Sequence, residues 1–109
     1  MGNESFKAFV LDQLAALPQL RLKPMFGGFG LYQADHFFAI MMDGRVYFKT
    51  DAQSRVDYLD RHRSPFTYQK GRRVVSLHYF EVPAEILEDR EALVCWARRA
   101  LQVNLPDPQ

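Results

Sequence analysis

The sequence predicts an α+β fold in which helices lie against an antiparallel sheet of five to six strands. Three observations predict it. Apolar residues recur at helical spacing at both ends of the chain and once in the middle, whereas the stretches between alternate with a period of two. Asp43-Gly44, set between two apolar runs, is the strongest two-residue hairpin signal in the chain, and Gly71-Arg72 marks a second tight turn. Strands joined by such short turns are antiparallel, because parallel neighbours need crossovers of about a dozen residues or more.

Phe6, Phe9, Val10, Leu14 and Leu17 recur at intervals of three and four and predict a first helix, with Asn3 or Ser5 as its N-cap and Pro18 closing it. Extended segments follow at 20–26, 29–33, 36–42 and 45–49. In the last of these, Val46 and Phe48 are expected on a buried face, and Arg45, Tyr47 and Lys49 on a partly polar one. Gly27, Gly28 and Gly30 sit among aromatics where the chain should bend or let another backbone come close. A glycine-rich turn can also cradle phosphate, but that needs a lysine and a hydroxyl after the last glycine, or a helix start facing the anion. Leu31-Tyr32-Gln33 supplies neither.

Thr50 or Asp51 is expected to cap a second helix with Ala52, Val56 and Leu59 as its apolar stripe. Arg61-His62-Arg63 would fall in its last turn, where cations complement the helix dipole. Strands at 66–70 and 74–81 come next, with Val75, Leu77 and Tyr79 pointing inward. Pro83 opens a helical turn. Asp89 caps a last helix whose Leu93, Ala97, Ala100 and Leu101 share a face. Residues 1–103 therefore read as one domain and 104–109, with two prolines, as a frayed tail.

A length of 109 residues suits one domain, and 48% hydrophobic with 14% aromatic residues suffices for a packed core. The formal net charge of +1 gives no global attraction to nucleic acid or to an anionic membrane, so binding of that kind needs a local patch. Cys95 alone makes neither a disulfide nor a zinc site, and beside Trp96 it reads as a small buried hydrophobe. No signal peptide or apolar run of about 20 residues is legible, so a cytoplasmic, non-membrane protein is expected.

No enzyme is expected. His36, His62 and His78 have no metal-site or nucleophile-elbow context, and adjacent Asp35 and His36 should point to opposite faces of a strand. Glu81, Glu85, Glu88, Asp89 and Glu91 gather near the last helix start, where they suit the dipole. Neither cofactor nor metal is expected. Arg61, Arg63, Lys70, Arg72 and Arg73, with His62, Phe66 and Tyr68 between them, admit two readings. They are solvated cations, or a patch that tracks a phosphate backbone; Arg98-Arg99 would extend the patch or pair with nearby acids.

Lys23-Pro24-Met25-Phe26-Gly27-Gly28-Phe29-Gly30-Leu31-Tyr32, followed by Asp43-Gly44-Arg45-Val46-Tyr47-Phe48-Lys49-Thr50, Pro65-Phe66-Thr67-Tyr68, Tyr79-Phe80-Glu81-Val82-Pro83 and Trp96-Ala97-Arg98, resembles the N-terminal domain of the TfoX/Sxy competence regulators. The resemblance spans roughly residues 6 to 101. It implies a two-layer α+β fold akin to secretion chaperones. It also implies a non-enzymatic role in transcription of competence genes, exerted through a regulatory protein partner, the cyclic-AMP receptor protein in the family's case. Longer members add a helical C-terminal domain, the expected place of their nucleic-acid contact. Exposed sheet edges, and Phe29, Tyr32, Phe37, Phe38, Tyr47 and Trp96 to accommodate, favour a homodimer. The alternative is a monomer with edges blunted by Pro24, Pro65 and nearby cations.

Overall fold

The computed structural model describes residues 2–25 and 27–104. Helix α1 (Gly2–Gln13) leads into β1 (Leu20–Met25), β2 (Gly28–Gln33), β3 (His36–Met42) and β4 (Arg45–Lys49). After α2 (Arg55–Leu59) the chain returns as the hairpin β5 (Pro65–Lys70) and β6 (Arg73–Glu81), and α3 (Ala84–Leu87) and α4 (Arg90–Leu101) follow. Because β6 pairs with β4, the six antiparallel strands run in the order β1-β2-β3-β4-β6-β5, with β1 and β5 at the edges. This is the α+β architecture expected, with helices at the N-terminus, in the middle and at the C-terminus. The expected tail falls outside the described residues from 105 onward.

Turn chemistry sets the registers. Asp43 (φ +53°) and Gly44 (φ +72°) both take the positive φ that a type I′ turn requires, and Met42 pairs with Arg45 across them. Gly71 does the same (φ +63°) between the paired residues Lys70 and Arg73.

Every helix packs on one face of the sheet. Val10 and Leu14 of the α1 region, Tyr58 of α2, Ile86 of α3 and Leu93, Trp96, Ala97 and Ala100 of α4 join Leu31, Phe38, Val46, Phe48 and Phe80 in one core. The other face, expected to be partly polar, carries Arg45 and Arg21, but it also holds a second apolar cluster that was not expected. Phe37, Ile40, Phe66 and Tyr79 are buried there, rimmed by Met25, Tyr32, Met42 and Tyr47. Tyr47, expected with the polar residues, packs its ring edge-on against Phe66 at 5.2 Å, and Lys49 is buried. Tyrosine and methionine read as mixed or neutral in a strand pattern, yet their bodies bury as well as an aliphatic side chain. A bulge sorts the two cores: Leu31 pairs with Ala39 and Tyr32 with Phe37, so Phe38 is an extra residue. Phe38 and its neighbour Ala39 consequently share the helix-covered face, while Phe37 and Ile40 face the other way.

Several local expectations are corrected. α1 begins at Gly2, so Asn3 and Ser5 both lie inside it and neither is its N-cap, and Leu14 and Leu17 fall in the turns after the helix. Phe9 sits at the margin of the apolar stripe and is 39% exposed. In α2 the expected stripe faces outward: Val56 and Leu59 are 50% and 53% exposed, and Ala52 lies in the preceding turn. With five residues α2 has one inward position of any size, and Tyr58 takes it, against Trp96 at 4.8 Å and Phe80 at 6.2 Å. Cys95 is exposed, not buried, because Leu93, Trp96, Ala97 and Ala100 define the inner side of α4. The Asp89 cap is present, its carboxylate accepting the Ala92 N–H at 3.1 Å.

Candidate functional site

The candidate basic residues do not form one patch. β5 runs from Pro65 to Lys70, about 3.3 Å per residue, and holds Arg61 and Arg63 at one end of the sheet and Lys70, Arg72 and Arg73 at the other. At the first end, α2 stops where His62 turns left-handed (φ +58°). There the His62 N–H bonds the Leu59 carbonyl and the Arg63 N–H the Tyr58 carbonyl, each at 3.0 Å, the Schellman closure. Arg61-His62-Arg63 therefore lie beyond the last helical turn, not within it. Arg61 reaches Glu85 at 3.4 Å and lies over the Trp96 ring at 5.2 Å. Arg63 and Arg45 flank Glu81 at 3.9 and 3.5 Å. Glu81 and Glu85 thus serve ion pairs, not the start of the last helix. Such exposed pairs add only about 0–1 kcal/mol of stability each, but they cancel the local positive potential.

The other end differs. Lys70, Arg72 and Arg73 are exposed around the Gly71-Arg72 turn, and none has a carboxylate partner among the described residues. Lys70 and Arg73 are directly paired across the hairpin. Like charges placed opposite one another on a strand pair are destabilising. Val74, next to them, is 68% exposed. Broken local rules of this kind concentrate at functional or strained sites, which makes this hairpin tip the candidate. The cross-strand pairing of Lys70 with Arg73 was readable from a two-residue turn; the exposure of Val74 was not.

Of Arg98-Arg99, expected to extend the patch or pair with acids, Arg99 does the latter, donating to Asp57 of α2 at 2.6 Å, while Arg98 is exposed and has no carboxylate partner among the described residues. Thr50 does not cap α2. It is fully buried, donating to the His78 carbonyl at 2.9 Å and accepting from Arg55 Nε at 3.1 Å. Nor does Asp51 cap the helix: the N-cap of α2 is Ser54, whose side chain makes no capping bond, and Asp51 closes the turn before it, accepting the Ser54 N–H at 2.8 Å while Ser54 Oγ accepts the Asp51 N–H at 3.1 Å. These hydrogen bonds hold the Asp51 carboxyl below its ordinary range. Burial pushes the Tyr58 phenol well above its ordinary value, and burial followed by Glu81 raises Tyr47.

The glycine motif and the hairpin turn, far apart in sequence, meet in a cleft lined by Phe6 and Lys7 of α1, Gly27 and Gly28, and Asp43 and Gly44. Its cation is occupied: Lys7 Nζ reaches Glu4 at 3.4 Å and lies 4.9 Å above the Phe29 ring. Gly27 has φ +82°. A Cβ at Gly28 would run into the Met41 carbonyl oxygen, and one at Gly30 would lie 2.9 Å from the Phe37 ring and 3.0 Å from the Met25 sulfur. Gly28 and Gly30 stand where backbone and side chains approach closely, and Gly27 supplies the left-handed turn before them. Among the described residues no group of His, Cys, Asp and Glu is arranged to hold a metal ion, and no helix is long and apolar enough to cross a membrane.

The sequence pattern of the TfoX N-terminal domain matches residues 12–104. Protein Sxy of Escherichia coli K12 is 29% identical over 110 aligned positions, which take in 98% of this chain and 52% of that protein. DNA transformation protein TfoX1 of Aliivibrio fischeri is 28% identical over 76 positions, 70% of this chain and 36% of that protein. The chain therefore spans about half the length, or less, of these relatives. By the extent of the match, this chain belongs to the TfoX N-terminal domain family of competence regulators.

Proposed function

We propose that this domain is a non-enzymatic, cytoplasmic regulatory module that acts by protein–protein contact, in the control of DNA transformation that the name of one relative designates. The observation that carries the reading is the distribution of charge. A surface that tracks a nucleic-acid backbone needs a path of available cations, each contacted phosphate adding a counterion to those released. Here Arg61 and Arg63 are engaged with Glu85 and Glu81, and of the five candidate cations only Lys70, Arg72 and Arg73, at one hairpin tip a whole strand away, have no carboxylate partner among the described residues. A short tip of that kind suits a local contact with a protein, a transcription factor in the reading that the family supports.

Direct nucleic-acid binding through Arg61, Arg63, Lys70, Arg72 and Arg73 is the competing reading. Electrophoretic mobility of DNA fragments with the purified chain separates them across a salt series. Protein contact predicts no retention at moderate salt. Strong retention that weakens by about 0.9 log units per decade of salt for each phosphate contacted overturns the proposal.

A further inference from the structure

The two edges of the sheet are treated differently. Pro24 removes an N–H from β1, and Arg21 on that strand folds back onto the Ala34 carbonyl at 3.0 Å and Asp35 at 3.6 Å. β5 has its proline at its first residue, and among the described residues it pairs on one side alone, with β6. Thr67, Gln69 and Lys70 along it are exposed. Past Pro65 this edge keeps its N–H and C=O groups, a template for a further strand. Charge decides what that strand can be. A second copy of β5, Pro65–Lys70, carries no carboxylate, so pairing two copies along this edge leaves Lys70, Arg72 and Arg73 unneutralised. An acidic strand meets three cations that have no carboxylate partner among the described residues.

We infer that the β5 edge receives an extended acidic segment of a partner protein as a seventh strand. Main-chain hydrogen bonds run along residues 67–70 and the carboxylates of the segment lie against Lys70, Arg72 and Arg73. The inference rests on the protein-contact reading and gives that partner its chemistry.

The probe is a synthetic peptide of about nine residues alternating valine with glutamate, a length typical of a strand, titrated into the isotope-labelled full chain. Expected are amide shifts centred on 67–70, slowed hydrogen exchange there, and loss of binding when alternate peptide nitrogens are methylated, which keeps the charge and removes the ladder. The combined variant Lys70→Glu, Arg72→Glu, Arg73→Glu should weaken binding by about tenfold or more, with its thermal midpoint recorded alongside. Equal binding of the methylated peptide overturns the inference, and does so even where the charge-reversed variant fails to fold. So does an oligothymidylate of about twelve nucleotides that shifts the same amides at lower concentration than the peptide. A sedimentation mass that rises above 12.7 kDa with concentration and returns to it on charge reversal assigns the edge to a second copy instead. Failure of the peptide with no DNA retention sinks the edge inference alone; DNA retention in the mobility series sinks the protein-contact reading.

Discussion

The two faces of the sheet are buried by different means. On the helix-covered face, Leu31, Phe38, Val46 and Phe48 are at most 1% exposed and meet side chains from all four helices. On the other, the buried residues come from strands alone among those described, and aromatic rings pack on one another: Tyr32 on Phe37 at 5.0 Å, Phe37 on Tyr79 at 5.3 Å, Tyr47 on Phe66 at 5.2 Å. The first face is shaped by elements that must fit each other. The second is rimmed by methionine and tyrosine, which adapt. Stability should therefore be concentrated on the first face and tolerance to change on the second.

The largest expected effect tests that contrast directly. Phe38→Ala removes a fully buried ring at the bulge and should cost about 3–5 kcal/mol. Tyr47→Ala removes a half-buried ring from the second face and should cost no more than about 2 kcal/mol. Urea midpoints of the two variants measure both, and equal losses would erase the distinction between the faces.

A smaller effect sharpens it within one strand. The methyl of Gly28→Ala meets the Met41 carbonyl, a backbone atom that cannot turn aside, so a loss of about 1–3 kcal/mol is expected. The methyl of Gly30→Ala meets the Phe37 ring and the flexible end of Met25, which can move, and less than about 1 kcal/mol is expected. Thermal midpoints in which Gly30→Ala is the worse of the two would show the second face to be the rigid one.

What was legible in the sequence follows the same division. Strand limits were read within a residue or two because turn residues with special φ punctuate them: Asp43-Gly44 and Gly71-Arg72 leave few alternatives. The helix-covered core was readable from periodicity in α1 and α4. The second core was not, since Arg45-Val46-Tyr47-Phe48-Lys49 alternates as a half-polar strand should, and nothing in it shows that Tyr47 meets Phe66. α2 misled for a related reason: Val56 and Leu59 satisfy a helical stripe, but a five-residue helix turns one large side chain inward, and packing selected Tyr58. The candidate basic residues were legible as a composition and not as a place, because the length of β5 separates them and the acids that neutralise two of the five, Glu81 and Glu85, come from later elements.

The smallest effect compares one tyrosine from each face. Burial raises the phenols of both Tyr58 and Tyr47, and that of Tyr58, inside the helix-covered core, the more. In the unfolded chain both release their protons near the ordinary value of about 10. A folded pKa above the unfolded one means that the unfolded state gives up a proton that the folded state retains. The stabilising contribution is therefore complete below pH about 10 and falls as pH rises from there towards the folded value, by at most about 1.4 kcal/mol per pH unit for each group. Tyr58→Phe keeps the ring against Trp96 and Phe80 and removes the titrating group. Urea midpoints measured between pH 8 and 11 should then decline less steeply for Tyr58→Phe than for the parent, with a lesser flattening for Tyr47→Phe. A Tyr58→Phe profile parallel to the parent, or a greater flattening from Tyr47→Phe, would place the drier environment on the second face and reverse the ranking of the two cores.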